Sequence, residues 1–345
     1  MHHGPRVTAQ PSVEPCTDAS ERAAGDMRKA SLGGLIGLDW GTSSLRAYWF
    51  DERGQVRATR NRPWGVRHLP VGGFDAALAD ISQGWPSLPR LACGMVGSRQ
   101  GWLEVPYVDL QTVADALASG VCCLRCADGD ELHLVPGLRH AGAADVMRGE
   151  ETQIVGALTL QPELAHDSDW ILPGTHSKWA CVRDGVITDF RTFLTGELFA
   201  LLRQHSILGA GSSDGTESPQ AFERGVVAAR DSAAAGAFSR LFSARGLLLE
   251  GELAGTEVPD YLSGLLIGEE FRANLAVGRL RPERPPQLIG EVALCQRYRH
   301  AAGLFDIHLP EPLLDATAHG LWHLACRTGL IPAGAPLAPK ETPAC

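Results

Sequence analysis

The sequence predicts a two-lobed α/β protein with a cleft between its lobes. Three observations support this. A strand–turn–strand unit at Leu35–Phe50 carries Gly41-Thr42 in its turn, and a similar unit at Trp170–Arg183 carries Gly174-Thr175. Each unit is followed by segments with helical spacing. The 345 residues suit two domains of roughly 100–200 residues each. Hinged clefts between such halves commonly bind ligands.

Taken in order, Leu35-Ile36-Gly37-Leu38-Asp39 is an apolar strand that ends in an acid, and Gly41-Thr42-Ser43-Ser44 turns the chain. Leu45–Phe50 returns as a second strand, Asp51–Gly54 turns again, and Gln55–Arg60 reads as a third strand. Phe74–Gln83 has helical spacing, Arg90–Ser98 is a strand running into a glycine-bearing loop, Val113–Ser119 is a short helix, and Leu132–Pro136 is a strand. A helix is expected from Met147 to about Leu160, with Ile154, Val155 and Leu158 on its apolar stripe. The opening pattern then recurs. Trp170–Leu172 is a strand, Pro173–Ser177 a turn, Lys178–Arg183 a strand, Asp184-Gly185 a hairpin turn and Val186–Phe190 a strand. Shifted by 133 positions, Gly41, Thr42, Ser44 and Ala47 fall on Gly174, Thr175, Ser177 and Ala180. The remainder reads as helices at Gly196–His205, Ser218–Ala235, Pro259–Val277 and Leu313–Thr328, with a β-like segment at Gln287–Gly290. The expected boundaries are a disordered extension at 1–33, a first lobe at 34–165, a second at 166–330 and a loose tail at 331–345.

With 31 basic and 40 acidic residues the formal charge is −9, which argues against nucleic acid or a membrane surface as partner. No run of 18 apolar residues suggests a membrane span. The first 33 residues lack the apolar core of a signal peptide. Nine irregularly spaced cysteines fit reduced thiols and a cytoplasmic setting. Cys122, Cys123 and Cys126, with His133 or His140, hint at zinc, but no second pair completes the set, and three small side chains near a strand edge explain them as well.

A Gly-Thr/Ser turn exposes successive backbone N–H groups with little side-chain bulk. These, with the hydroxyls of Thr42, Ser43 and Ser44, suit phosphate oxygens. Asp39 suits Mg²⁺, held through water. One such turn occurs by chance in many hairpins, whereas two facing each other would close around a triphosphate. The chain has three lysines against 28 arginines, and Lys178 is the one outside the expected tails; a compact ammonium there suits a phosphate, or is simply a solvated strand residue.

At these residues the chain resembles the 2-dehydro-3-deoxygalactonokinase (2-oxo-3-deoxygalactonate kinase) family. The stretches that carry the resemblance are LIGLDWGTSSLRAYWF, ACGMVGSRQGWLEVPY, LVPGL followed by DVMRGEETQIVGA, LPGTHSKW, DFRTFLTGEL, HSILGAG and YLSGLLIGEE, and the resemblance runs from about Leu35 to the last helix, some 290 residues. The resemblance implies the actin/hexokinase-like (ribonuclease H-like) ATPase fold, ATP with Mg²⁺, and phosphorylation of the terminal hydroxyl of 2-dehydro-3-deoxy-D-galactonate in galactonate breakdown. It implies phosphate contacts for Gly41–Ser44 and for Gly174, Thr175, His176 and Lys178, and a nucleotide role for Gly196, Glu197 and Gly290. The sequence LIGEVAL around Gly290 lacks the family's Gly-Thr/Ser richness, and Leu172 stands where the second turn would carry an acid equivalent to Asp39.

The accepting hydroxyl calls for a carboxylate base. Glu150 and Glu151 stand at a helix start, resembling the Gly-Glu-Glu of exopolyphosphatases, and equally suit the helix dipole; Asp145 is a weaker alternative. Arg148, ahead of Arg99 and Arg139, suits a substrate carboxylate. Gly97, Ser98, Trp102 and Tyr107 are expected on the substrate side, with Trp102 equally suited to the lobe core. A kinase for a related sugar acid, a phosphohydrolase and a non-catalytic ATP switch are the rival readings, and a homodimer stands open.

Overall fold

Strand β1 (Leu35–Trp40) is buried along nearly its whole length, the pattern of an interior strand covered on both faces. It pairs antiparallel with β2 (Leu45–Phe50), which pairs antiparallel with β3 (Val56–Arg62). Helix α1 (Gly73–Ile81) follows, and β4 (Arg90–Cys93) returns parallel to β1. Strand β5 (Val108–Asp109) and helix α2 (Val113–Ser119) lead to the hairpin β6 (Cys122–Arg125) and β7 (Glu131–Leu134). The sheet order is β3-β2-β1-β4-β7-β6. Strand β8 (Leu138–His140) lies parallel to β5, and β9 (Asp145–Met147) precedes helix α3 (Glu150–Leu160). The helix expected from Met147 therefore starts later: Met147 ends a strand, and Gly149, at φ 106°, redirects the chain.

The second half repeats the pattern. Strands β10 (Asp167–Leu172), β11 (Ser177–Arg183) and β12 (Val186–Phe193) form an antiparallel meander. Helices α4 (Thr195–His205), α5 (Pro219–Arg230), α6 (Ser243–Leu249) and α7 (Val258–Ala276) follow. Strand β13 (Gln287–Leu288) then adds parallel to β10, before α8 (Val292–Gly303) and α9 (Ala316–Arg327). The order β12-β11-β10-β13 matches β3-β2-β1-β4 strand for strand and direction for direction. The repeat suggested by four identities is thus a duplication of topology, the α/β arrangement of the ribonuclease H-like fold. Two helices, α6 and α8, were not expected. Helix α8 is capped by Glu291, which accepts from the N–H groups of Ala293 and Leu294, in place of the commoner Ser, Thr, Asp or Asn.

This computed structural model describes residues 34–110, 113–213 and 215–332; the expected extension at 1–33 and the tail beyond 332 lie outside them. The chain divides into two compact units, and the cut differs from the sequence-based boundary at 165/166. Unit 2 consists of His140–Asp145 and Gln161–Leu314, while Val146–Leu160 and the chain from Asp315 onward belong to unit 1. The last helix returns to unit 1 because it docks on α3 through glycines. A Cβ on Gly156 would lie 1.8 Å from the Ala316 carbonyl oxygen, and one on Gly320 would lie 1.9 Å from that of Thr152. Gly37 of β1 likewise leaves room for Leu321, and Trp322 packs on Phe50 at 5.6 Å. Among the described residues no helix is long and apolar enough to cross a membrane.

Candidate active site

In unit 1 the carboxyl ends of the parallel strands β1 and β4 lie side by side, with Asp39 opposite Cys93. Ligands of open α/β sheets gather at such strand ends. Two glycines bring the start of α3 to this point. A Cβ on Gly94 (φ 91°) would lie 2.8 Å from the Trp40 carbonyl oxygen, and one on Gly149 would lie 3.3 Å from Gly94 Cα. Both positions combine close backbone approach with the left-handed region.

Asp39 is half-buried and sits directly across from Arg46 on β2. Burial pushes its carboxyl up to about 6; Arg46 opposes the shift and Glu150 adds to it. The two glutamates of α3 differ. Glu150 is half-buried and accepts from the Arg148 N–H at 3.0 Å. Glu151 is fully buried, and both its oxygens accept from the Gly149 N–H, at 2.9 and 2.7 Å, with the Thr152 hydroxyl adding a bond at 3.1 Å. Burial, with Glu150 next, pushes Glu151 up to about 7.

The first turn is held rigid by the following segment. Gly41 N–H donates to the Ser44 carbonyl, while Val66 and Arg67 donate to the carbonyls of Gly41 and Thr42. A Cβ on Gly65 would lie 2.1 Å from the Thr42 oxygen, and the Trp40 indole donates to the Trp64 carbonyl at 2.8 Å. Ser43 and Ser44 are exposed at the tip.

Among the described residues Arg148 is one of two buried arginines of the unit with unpartnered nitrogens; the other, Arg90, is held by Asp128 at 2.8 Å. Arg148 is 8% exposed, one nitrogen donates to the Val105 carbonyl at 2.7 Å, and its guanidinium lies 4.3 Å over the Tyr107 ring. Its Nε and Nη1 have no hydrogen-bond partner among the described residues, and neither has the buried Ser98 hydroxyl. Gly97 gives the guanidinium its room, since a Cβ there would lie 3.0 Å from Arg148 Nη1. Buried donors without partners are costly and mark sites where a ligand group completes the bonding. The other two arginines expected at the substrate do not share this setting: Arg99 is exposed, and Arg139 forms an exposed fork with Asp109 at 2.8 and 3.1 Å. Trp102 stacks on Phe74 at 5.3 Å and meets Trp40 edge-on at 6.1 Å, so its ring belongs to the aromatic core cluster, the other of its two expected roles. Asp145 is engaged elsewhere, accepting from the Thr192 N–H and hydroxyl at 2.8 and 2.6 Å.

Unit 2 holds the second turn. Gly196 opens α4 against it: a Cβ would lie 2.6 Å from the Gly174 oxygen, and Glu197 N–H donates to the Thr175 carbonyl. The N-terminus of α4 therefore lies at the turn, where a helix favours anions. His176 Nε2 meets Glu197 Oε2 at 2.5 Å. Lys178 is 3% exposed and donates to the His176 carbonyl at 3.0 Å, so it is a buried group and not a solvated strand residue. Gly290 lies against Pro173 of the turn, where a Cβ on the glycine would come 3.5 Å from Pro173 Cδ.

Beside this turn is a cavity of about 360 Å³ whose wall includes Gly174, Gly196, Phe199, Asp260, Arg297 and Tyr298. Arg297 is fixed by Asp260 at 2.8 Å and by the Phe222 ring at 4.4 Å. Of the sequence-predicted residues only Gly174 and Gly196 line this cavity. The rest of the wall comes from α4, α7 and α8 and from Ser213, Gly215, Glu217 and Thr256 between helices, which meet only in the fold.

The cysteine hint does not hold as a four-ligand zinc site. Cys122 and Cys123 are successive residues of β6 and point to opposite faces, Cys126 is buried, and His140 pairs with Asp189. Among the described residues Cys123, Glu131 and His133 do bring ligand atoms within 4.8 Å of one another.

Comparison with known proteins bears on both turns. A family model described as 2-keto-3-deoxy-galactonokinase matches residues 39–324. The 2-dehydro-3-deoxygalactonokinase of Escherichia coli (strain K12) is 36% identical over 239 residues, 68% of this chain and 78% of the relative. A Rhizobium meliloti (strain 1021) protein provisionally given the same name is 37% identical over 258 residues, 71% and 82% of the two chains. A crystal structure from Sinorhizobium meliloti, also provisionally assigned as a 2-dehydro-3-deoxygalactonokinase, aligns with a TM-score of 0.74 at 33% identity, covering 85% of this chain and 98% of that one. The match begins at Asp39, just before the first turn, and ends in the last helix, and so the chain belongs to the 2-keto-3-deoxy-galactonokinase family.

Proposed function

We propose that the chain is an ATP-dependent kinase that transfers phosphate to the terminal hydroxyl of 2-dehydro-3-deoxy-D-galactonate. The observation that carries the choice of an acid as substrate is the buried Arg148 guanidinium, whose Nε and Nη1 stand without partners, as does the Ser98 hydroxyl of the neighbouring loop. A substrate carboxylate would accept a charge-assisted bond from the guanidinium and a further bond from the Ser98 hydroxyl, and a guanidinium directs such bonds better than a point charge does. Tyr107 under the guanidinium fixes its plane.

Phosphoryl transfer depends on alignment and charge neutralisation more than on covalent help. The turns at Gly41–Ser44 and at Gly174–His176 are assigned phosphate oxygens, with Lys178 and the N-terminus of α4 adding positive character at the second. The 360 Å³ cavity is assigned the adenosine, with Gly196 in its wall and Glu197 and Gly290 beside the adjoining turn. Glu150 is assigned the general base that takes the proton from the sugar hydroxyl. A pKa near 7 by itself would nominate Glu151. Its complete burial and its bonds to Gly149 argue instead for holding the start of α3 in place.

The residues at the first turn fit Mg²⁺. Asp39 is a hard oxygen donor at the end of β1, and a divalent cation beside it would favour its charged form against the burial that raises its carboxyl. Mg²⁺ held there would neutralise phosphate oxygens.

The test is an ADP-coupled assay over a panel of 2-oxo-3-deoxy sugar acids together with a C1 amide of the best one. The reading expects turnover with the galactonate-derived acid, and a KM for the amide raised by about 10²-fold, the scale of losing a charge-assisted fork. Equal KM values for acid and amide would remove Arg148 from the substrate site.

A further inference from the structure

Glu270, on α7, is completely buried and takes no part in the chemistry assigned to either turn. Its carboxylate gathers four side-chain donors from three other elements. Oε2 accepts from the Ser177 hydroxyl at 2.9 Å and from the Trp179 indole at 2.6 Å, both on β11. Oε1 accepts from the Tyr298 phenol at 2.5 Å, on α8, and from the Thr195 hydroxyl at the first residue of α4. All four are neutral donors. Its neighbour Glu269 forms an ordinary ion pair with Arg272.

What these donors belong to gives the carboxylate its meaning. Ser177 and Trp179 flank Lys178 on β11 and share the strand face opposite to it. Fixing them fixes the exit of the second turn and the direction of Lys178. Thr195 immediately precedes Gly196, which rests on Gly174. Thr195 and Tyr298 both line the 360 Å³ cavity. We infer that Glu270 is a positioning residue for the nucleotide, locking the second turn, the start of α4 and the cavity wall into one arrangement without touching the ligand itself. An apolar side chain would fill the same space, but it would leave three hydroxyls and an indole free to turn. Directional bonds to one carboxylate leave each of them a single orientation. The inference rests on assigning the cavity to the nucleotide.

The experiment compares Glu270→Leu and Glu270→Gln with the wild type. It measures MgATP binding by calorimetry without sugar acid, KM for each substrate, and the melting temperature. Wild-type protein is expected to bind MgATP, and Glu270→Leu to bind it about tenfold or more weakly, with a parallel rise in KM for ATP. KM for the sugar acid is expected to stay within about threefold. Glu270→Gln is expected to recover ATP affinity to within about threefold. Its amide oxygen keeps Trp179 and Ser177, while the hydroxyls of Thr195 and Tyr298 rotate to accept from its nitrogen. A Glu270→Leu protein that melts earlier yet binds ATP as the wild type does would reduce Glu270 to a purely structural role and overturn the inference. If Glu270→Leu does not fold, Thr195→Val with Tyr298→Phe leaves the carboxylate in place and removes one arm of the lock; unchanged ATP affinity there overturns the inference equally. A wild type that binds no ATP would instead refute the nucleotide assignment, a separate failure.

Discussion

The two hairpins share one topology and carry different side chains at matching positions. In the first, the strands close with Trp40 opposite Leu45 across residues 41–44, and Asp39 stands across from Arg46 beside Glu150. In the second, they close with Leu172 opposite Lys178 across residues 173–177, with a leucine, 3% exposed, where the acid would stand. The first hairpin carries its carboxylate half-buried at the end of its own first strand. The second keeps one underneath, at Glu270, where it bonds only to protein. A duplicated scaffold preserves backbone shape, and on the proposed reading the placement of one carboxylate separates the copy assigned the chemistry from the copy assigned to hold the nucleotide.

The largest expected effect follows from that contrast. Asp39→Ala is expected to lower turnover on the order of 10³-fold or more, with the circular dichroism spectrum unchanged. Glu150→Gln should cost about 10²–10⁴-fold in kcat with little change in either KM, the mark of a general base. Steady-state kinetics on both variants would break the comparison if Asp39→Ala kept wild-type turnover. Glu151→Ala separates the neighbouring glutamates. It is expected to lower unfolding stability in urea by about 1–3 kcal/mol, because the Gly149 N–H loses its acceptor, and to move kcat far less than Glu150→Gln does. A kcat loss as large as that of Glu150→Gln, in folded protein, would exchange their roles.

The smallest effect is a pH dependence. The Asp39 carboxyl titrates near 6 in the folded chain, against an ordinary value of 3.8. Because the folded value is raised, the native state binds the proton more tightly. The stability contribution is fully present below about pH 3.8 and is lost as pH rises through about 6. Wild type should therefore show a falling increment of stability over this window that Asp39→Asn lacks, measured by urea unfolding at stepped pH. The kcat/KM of wild type should rise through the same window as Asp39 ionises. Identical stability profiles for the two proteins would contradict the assignment.

The parts of the site that lie within a few residues of one another were legible in the sequence. Asp39 ends a strand just before the turn Gly41–Ser44, Arg148 and Glu150 flank one glycine, and each pattern carries its proposed chemistry locally. The start of α3 falls later than expected because Gly149 continues the helical spacing in sequence, whereas its left-handed conformation separates a strand from the helix. What sequence reading missed depends on long-range convergence. Glu270 lies in a motif that carried the family resemblance, but its donors are 28 to 93 residues away. The cavity wall of Phe199, Asp260 and Arg297 draws on three helices. The return of α9 to unit 1 is written only in the facing glycines Gly156 and Gly320, which have no local signature.

The most direct test of the division of labour is ADP release by wild type and by Asp39→Ala, each with MgATP, with and without 2-dehydro-3-deoxy-D-galactonate, alongside nucleotide binding. The account predicts ADP from wild type only when the sugar acid is present, and almost none from Asp39→Ala although it still binds nucleotide. ADP appearing equally fast without the acid, or wild-type ADP release from Asp39→Ala, would contradict it.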